Sequence, residues 1–334
     1  MQNAPATQRI IRHEDIVSAG PAVEHLQRRD VSAEQLHYSL QKYTGDPVEI
    51  TKFGAFLGRW PMYSEGLGHR EAKRSIMACM AAARELVPAL RAQFRNRLAS
   101  SEALRDDDLI ALSDMWQSTV MGMDPADYDR IAPLLDTVTS YFTTRSATFD
   151  FASLNVAVND LRYVVENYPF CRGSLLASGR ARGLHGDVLI NLLADPRPSM
   201  LHCMRVLIHE RGCGARDRQE EASGKRIVED LLRTRPPFGS IHRIVERPGR
   251  GIEKAIRVDI HRCNAQITTG FGLTFGFGRH ACPAANLISD SLVQLWIALV
   301  EAWPASPVSY CWQGVPCDRS NPLRDQRMVF CTAI

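Results

Sequence analysis

Apolar positions recur along this chain mainly at helical spacing. Between Ser75 and Phe94 they fall at Ile76, Met77, Met80, Leu86, Val87, Leu90 and Phe94, which marks one face of an amphipathic helix. The same period predicts helices over Asp106–Met121 and Pro125–Tyr141, joined by a turn containing Gly122. Asp124 suits the N-cap of the second. Pro125 suits its first position, where a missing N–H costs no helical bond. Further helices are expected over Phe149–Tyr168, over Asp187–Glu210 with an interruption at Pro196 and Pro198, and over Ile227–Thr234 ahead of Pro236-Pro237. The last, Ala284–Trp303, is strongly apolar and ends at Pro304. Strand patterns are few: Ile241–Val245 and Ala255–Ile260, on either side of a Pro248-Gly249 turn. No repeat or linker divides the chain, so the pattern predicts one mainly helical domain with a small β portion.

Composition adds limits. The 334 residues suffice for a large core. A hydrophobic share of 45% and a charged share of 23% are ordinary for a globular protein. The net charge of +3, without a dense Lys/Arg block, gives no reason to expect a nucleic-acid partner. A modest basic patch is still compatible with docking an acidic protein. No apolar run reaches membrane-spanning length, and Met1 to Arg12 is too polar for a secretory signal, so a cytoplasmic location without membrane contact is expected. Nine cysteines, an odd number with no CxxC, fit neither a disulfide framework nor a structural zinc site. His202 and His209 lack a ligand cluster and read as structural. Arg247–Gly251 lacks the P-loop lysine pattern, and no GxSxG elbow is present.

One segment carries chemistry: Phe275-Gly276-Phe277-Gly278-Arg279-His280-Ala281-Cys282-Pro283-Ala284. It places a cysteine directly before a predicted helix, where free backbone N–H groups and the positive end of the helix dipole favour thiolate over thiol. Glycines such as Gly276 and Gly278 let the backbone come close to a flat ligand. Phe275 is placed to shield the sulfur from water. Without a metal, the same residues would be a glycine-rich turn with a buried cysteine.

This spacing resembles the cysteine-loop signature of cytochromes P450, FGxGxHxC. The resemblance implies that Cys282 is the axial ligand of a haem b iron, with His280 beside a propionate. It implies a compact, truncated cytochrome P450 fold, mainly α with a small β portion, spanning 1–334 as a single haem domain. Residues 1–64 would be a reduced N-terminal region and 65–334 the haem-binding core. Val228-Glu229-Asp230-Leu231-Leu232-Arg233 resembles the family's ExxR helix with Asp230 in place of Glu. Asp230 and Arg233 would then brace the cysteine loop, although a solvent-facing i,i+3 pair has the same spacing. Arg243 falls where the family carries a propionate-binding arginine. Glu65–Arg74 resembles the start of the C helix, with His69 and Lys73 on one face four positions apart. They read as propionate ligands or as a solvated basic helix start. Thr119–Pro125 is similar to the family's D–E helix junction.

Three departures qualify what the resemblance implies. The region before Glu65 is short for a β-rich access domain. Cys282 follows Arg233 by only 49 positions, and the meander that normally shapes the proximal face is not recognisable, so an electron-transfer partner is doubtful. Over the haem, Ala194-Asp195-Pro196-Arg197-Pro198-Ser199 replaces the usual glycine–acid–threonine run. This aligns Arg197 with the acid and Pro198, which has neither hydroxyl nor N–H, with the alcohol. An Arg-Pro pair there, with Cys282-Pro283, resembles the peroxygenase branch, in which the arginine binds a substrate carboxylate. Arg197 could equally pair with Asp195 or lie at the surface. Ser199 could supply the missing hydroxyl. Arg197, Ser199 and Asp195 are therefore the distal candidates.

The resemblance implies an oxidoreductase, a monooxygenase or peroxygenase, that oxidises a small organic substrate, with specialised metabolism as the expected setting. The alternative is a haem-thiolate lyase, isomerase or dehydratase that needs no external electrons. A non-catalytic haem sensor is the third reading. A shortened fold also leaves surface that a homodimer would bury.

Overall fold

A computed structural model describes residues 12–28, 31–33, 40, 43–100, 106–143, 148–212, 224–247, 251–302, 310–314 and 326–330. The chain begins with strand β1 (Arg12–Ile16), helix α1 (Ala19–Gln27) and strand β2 (Val31–Ala33). Helices then follow one another: α2 (Pro47–Leu57), α3 (Gly66–Ala83), α4 (Val87–Ala99), α5 (Asp106–Met121), α6 (Pro125–Thr143), α7 (Phe151–Asn167), α8 (Leu175–Ala181), α9 (Gly186–Ala194), α10 (Pro196–Gly212) and α11 (Gly224–Thr234). A hairpin of β3 (Ser240–Arg247) and β4 (Gly251–Asp259) leads through α12 (Ile260–Asn264) to the cysteine loop and α13 (Ala285–Ala302). Strands β5 (Tyr310–Gly314) and β6 (Gln326–Phe330) form a separate antiparallel pair.

Capping chemistry explains several boundaries. Asp46, Asp150 and Ser174 accept backbone N–H bonds at the starts of α2, α7 and α8. At the α5–α6 turn Gly122 takes a φ of +81°, and the Asp124 carboxylate accepts from the Ala126 N–H at 2.9 Å. The pattern from Ser75 to Phe94 is not one helix. Arg84–Leu86 forms a 3₁₀ turn and α4 restarts at Val87, because Pro88 has no N–H to donate back to the helix before it. The expected interruption at Pro196 is present but slight. Asp195 keeps helical angles between α9 and α10, and its N–H still reaches the Asn191 carbonyl at 3.0 Å. The Pro248-Gly249 turn and the helix end at Trp303-Pro304 lie outside the described residues.

Two apolar clusters hold the described part of the chain together. The larger gathers α2–α11 and α13, with Trp60, Trp116 and Trp296 fully enclosed. Helix α13 packs against α4, α10 and α11 through residues such as Leu292, Leu295 and Trp296. The smaller cluster joins Ile16, Ala22 and Leu26 to Ile256, Val258, Ile260 and Leu273. It lies on a four-stranded sheet of order β1-β4-β3-β2, in which β1 runs parallel to β4 and the other pairings are antiparallel. Residues before Glu65 contribute to both clusters: Phe53, Phe56 and Trp60 lie in the first and Ile16 in the second. The cysteine loop sits between the two clusters.

Candidate functional site

Backbone geometry fixes Cys282. Gly276 and Gly278 both adopt a φ of +69°, a region that side chains disfavour. A Cβ on Gly278 would also lie 2.6 Å from the Leu26 carbonyl oxygen. The Cys282 N–H donates to the Phe275 carbonyl at 2.7 Å and closes the loop. The sulfur accepts from the N–H groups of Ala284 and Ala285 at the entry to α13, as the helix-start reading requires. Phe275 meets Phe271 edge-on at 5.1 Å and packs on the core beside Cys282. Burial pushes the free thiol up to about 11; the Ala284 amide lowers it, Asp195 raises it and Lys73 lowers it. A coordinated metal reverses that balance and removes the proton outright.

The brace behind the loop takes a definite form. Asp230 and Arg233 are ion-paired on α11. Arg233 Nη1 also donates to the Ile267 carbonyl at 2.8 Å, so the pair faces the loop approach rather than solvent alone. Asn264 completes the support. Its Nδ2 donates to the Arg233 carbonyl at 2.9 Å and to Thr274 Oγ1 at 3.1 Å, and its Oδ1 accepts the Leu273 N–H at 2.7 Å. Thr274 Oγ1 in turn donates to the Leu232 carbonyl at 2.7 Å. Asn264 was not among the sequence candidates, because its partners, two backbone groups and the Thr274 hydroxyl, lie up to 31 positions away.

The basic cluster is only partly as expected. His69 is buried, with Nδ1 at 2.8 Å from the Pro61 carbonyl and Nε2 at 3.1 Å from the Arg279 carbonyl. The single N–H of a neutral ring serves one of these two carbonyls, and the ring ties α3 to the cysteine loop instead of forming a solvated helix start. Lys73 Nζ donates to the same Arg279 carbonyl at 2.5 Å and keeps two further N–H donors. His280 Nε2 meets Glu65 Oε1 at 2.9 Å. Burial and then Arg243 hold its imidazole below its ordinary range, so Glu65 rather than a propionate is its partner here. Arg243 donates one N–H to the His242 carbonyl at 2.6 Å. Burial lowers its pKa to about 10, against the opposing pull of Glu65.

The distal segment divides by face. Arg197 is held by Asp114 on α5, by Asp136 Oδ1 at 2.8 Å and by the Tyr128 hydroxyl at 2.9 Å, both on α6. Burial acts to discharge the guanidinium, and Tyr128, Asp136 and Asp114 outweigh it and keep it charged. Tyr128 donates to Gln117 Oε1, and Gln117 Nε2 donates to the Leu193 carbonyl at 2.7 Å, at the end of α9. The expectation of Arg197 as a substrate-binding arginine is therefore corrected: every acidic partner it has lies on α5 or α6. Nor does it pair with Asp195. Ser199 is buried one helical turn after Asp195.

Asp195, Cys282 and Arg243 share a property. Their surfaces are open or partly open, yet protein surrounds each at depth. Asp195 and Cys282 are close enough to act on each other electrostatically. Burial alone raises the Asp195 carboxyl from 3.8 to about 6. No hydrogen bond or ion pair holds that carboxyl among the described residues. The thiol of Cys282 cradled by two amides, with the basic side chains of Arg243 and Lys73, is a donor set that suits a planar dianionic macrocycle bearing iron.

No family model matches the sequence, and no curated protein matches it. Solved structures do. The chain superposes with a TM-score of 0.70 on P450BioI in complex with a fatty-acid-ligated acyl carrier protein, at 12% identity, covering 95% of this chain and 92% of that one. It superposes at 0.70 on the cytochrome P450 enzyme CYP109B1 from Bacillus subtilis, at 14% identity over 94% and 92% of the two chains. A thermophilic cytochrome P450 from Sulfolobus tokodaii gives 0.67 at 13% identity over 97% and 98%. This chain has the cytochrome P450 fold. The cysteine loop and its brace therefore sit within one cytochrome P450 fold. At these identities the likeness carries the architecture and not the reaction. Among the described residues no helix is long and apolar enough to cross a membrane.

Proposed function

We propose that this protein is a haem-thiolate oxidoreductase that binds haem b through Cys282 and oxidises a small organic substrate. The observation that carries the reading is the Cys282 sulfur held by the Ala284 and Ala285 amides at the entry to α13. The group supplies oxidising chemistry when bound, since thiolate donation favours O–O cleavage. The chain's own residues do the rest. Arg243 and Lys73 hold the propionates, Phe275 keeps water from the sulfur, and Asp230, Arg233 and Asn264 keep the loop in register. We place the protein in the cytoplasm, as one haem domain over 1–334, acting on a free small molecule.

Peroxide is the oxidant we favour, as a peroxygenase rather than a reductase-fed monooxygenase. Arg197 is committed to Asp114 and Asp136, and Pro198 offers no hydroxyl. The usual pair for activating dioxygen is thus missing from its place. A lyase or isomerase needing no external electrons draws on the same observation. Reconstitution with haem, followed by ferrous–CO spectroscopy, tests the core of the reading. A thiolate-type Soret band in the wild type, absent in Cys282→Ser, is expected; its absence in both refutes haem-thiolate ligation. Product formed with hydrogen peroxide alone supports the oxidant, and product formed anaerobically with no oxidant supports the lyase.

A further inference from the structure

Glu65 is an acid set among bases at the cysteine loop, and the reading above gives it no task. It stands at the N-cap of α3, yet its side chain makes no capping bond to the helix. The carboxylate turns instead to the loop, 215 positions away: Oε1 meets His280 Nε2 at 2.9 Å, and Oε2 meets Arg279 Nη1 at 3.4 Å. An ionised carboxylate only accepts, so the His280 ring presents its N–H there. The surroundings are basic. The His69 ring lies 4.4 Å from the His280 ring, and Lys73 Nζ donates to the Arg279 carbonyl. Arg243 on β3 is near enough to act on both Glu65 and His280 through its charge.

Glu65 is not needed to fasten α3 to the loop. His69 Nε2 lies 3.1 Å from the Arg279 carbonyl and Lys73 Nζ donates to the same oxygen, and these two make the tie. What the carboxylate does is neutralise. It takes donors of His280 and Arg279 that any other carboxylate reaching this cluster has to win. We propose that Glu65 is an internal counter-ion at the cofactor site, displaced from His280 and Arg279 by a propionate of the tetrapyrrole, and that it thereby weakens and slows cofactor uptake. This rests on the haem-thiolate reading above for the identity of the cofactor; the displacement itself involves no iron. The exchange is of one acceptor for another. One carboxylate takes the two donors as the other leaves them, and no proton changes place. The Glu65 side chain is 35% exposed, so on leaving it turns to water and no charge is stranded in the interior.

The consequence is a selectivity. A basic cluster with no acid in it favours a ligand bearing carboxylates over the esters of that ligand. Glu65 removes part of that preference, because an ester does not compete for the seat and displaces nothing. Water limits the size of the effect: Arg279 and Glu65 are both about one-third exposed, so the pair to be broken is a partly solvated one.

The test uses the full chain with two iron-free probes, deuteroporphyrin IX and its dimethyl ester, followed by quenching of tryptophan fluorescence. In Glu65→Gln the free acid is expected to bind about fivefold tighter than in wild type and to associate faster, as for one partly solvated ion pair that no longer has to be displaced. The ester is expected to bind both proteins alike. Free-acid affinity that is unchanged or lower in Glu65→Gln overturns the proposal. So does an equal change for acid and ester, which would make Glu65 a structural bracket of the loop, and so does a wild type that binds neither probe. The haem-thiolate reading fails separately, through a missing thiolate-type Soret band after loading with haem, because the ratio of acid to ester affinity does not involve Cys282. Should Glu65→Gln fail to fold, Glu65→Asp decides. Its shorter side chain reaches one of the two partners, so the ratio rises by less than in Glu65→Gln, and an unchanged ratio overturns the proposal.

Discussion

Arg197 offers the sharpest test of how the two faces of the distal helix divide their work. Its side chain is 10% exposed, Asp114 is 15% exposed and Asp136 is 63% exposed. Replacing it with Met keeps most of the volume and removes the charge. The Asp136 bond is largely solvated, so its loss costs below about 1 kcal/mol. Asp114 is different: it is left charged and nearly enclosed, with Tyr128 turned away toward Gln117. Breaking a buried pair from one side typically costs about 3–5 kcal/mol. Asp114's residual exposure places the expected loss near the bottom of that range, about 3 kcal/mol. Chemical denaturation at pH 7, followed by circular dichroism, reads this directly. The double variant Arg197→Met, Asp114→Leu should recover more than half of the loss, because no orphan charge remains. Substrates with and without a carboxylate should lose activity by the same factor. If Arg197→Met leaves stability within about 0.5 kcal/mol of wild type and selectively abolishes turnover of carboxylate substrates, the reasoning is refuted, since surface-type stability effects of that size mean no buried pair was broken.

Three other perturbations report on separate parts of the site. In the haem-free protein Asp195 has a raised folded-state pKa, about 6 against 3.8, so its protonated form stabilises the fold below about pH 4 and that contribution is lost as pH rises through 6. Discounted for the water that reaches it, the loss is about 1–2 kcal/mol; Asp195→Asn should flatten the stability profile between pH 4 and 6 and be the more stable protein at pH 7.5. Asn264→Ala removes three hydrogen bonds behind the cysteine loop and is expected to cost about 2–3 kcal/mol in urea titrations, with faster haem transfer to apomyoglobin. Gly278→Ala forces a Cβ against the Leu26 carbonyl at a φ of +69° and should lower haem occupancy after reconstitution, measured as the ratio of Soret to protein absorbance.

What the sequence made legible follows the range of the interactions involved. The cysteine loop could be read because its function is local: Gly276, Gly278, Cys282 and the start of α13 act on one another within a dozen positions. The helices over Asp106–Met121 and Ile227–Thr234 were readable for the same reason, as were the strands of the β3–β4 hairpin. The neighbours of His69 were not legible, because they are carbonyls, one of them 210 positions away, and a carbonyl has no signature in a sequence. Asn264 escaped notice because its partners are a carbonyl, an amide N–H and a hydroxyl up to 31 positions away. Helix α2 was missed although Phe53, Phe56 and Leu57 are buried, because Phe56 and Leu57 adjoin and blur the period.

The distal helix shows a different kind of error, since the information needed was already local. An α-helix turns by about 100° per residue, so Asp195 and Arg197 lie about 200° apart. If one faces the haem the other faces away, whichever is chosen. Aligning Arg197 with the family's acid carried that residue's role along with its position, and placed Asp195 beside it as a second candidate on the same helix. The structure turns this round. Asp114 on α5, with Asp136 and Tyr128 on α6, supplies an acidic socket that only a cation can fill, so Arg197 must face outward. The ionic lock on the outer face then determines which residue is presented inward. Because the lock is made of charge and the inner residue is an acid, a charge swap cannot be tolerated at either position alone. Exchanging the two, Asp195→Arg with Arg197→Asp, would place a cation over the haem and three carboxylates together outside it. The result expected is an unfolded or haem-free protein, not a restored peroxygenase, and the recovery of a soluble haem complex from that exchange would show that the lock does not set the register.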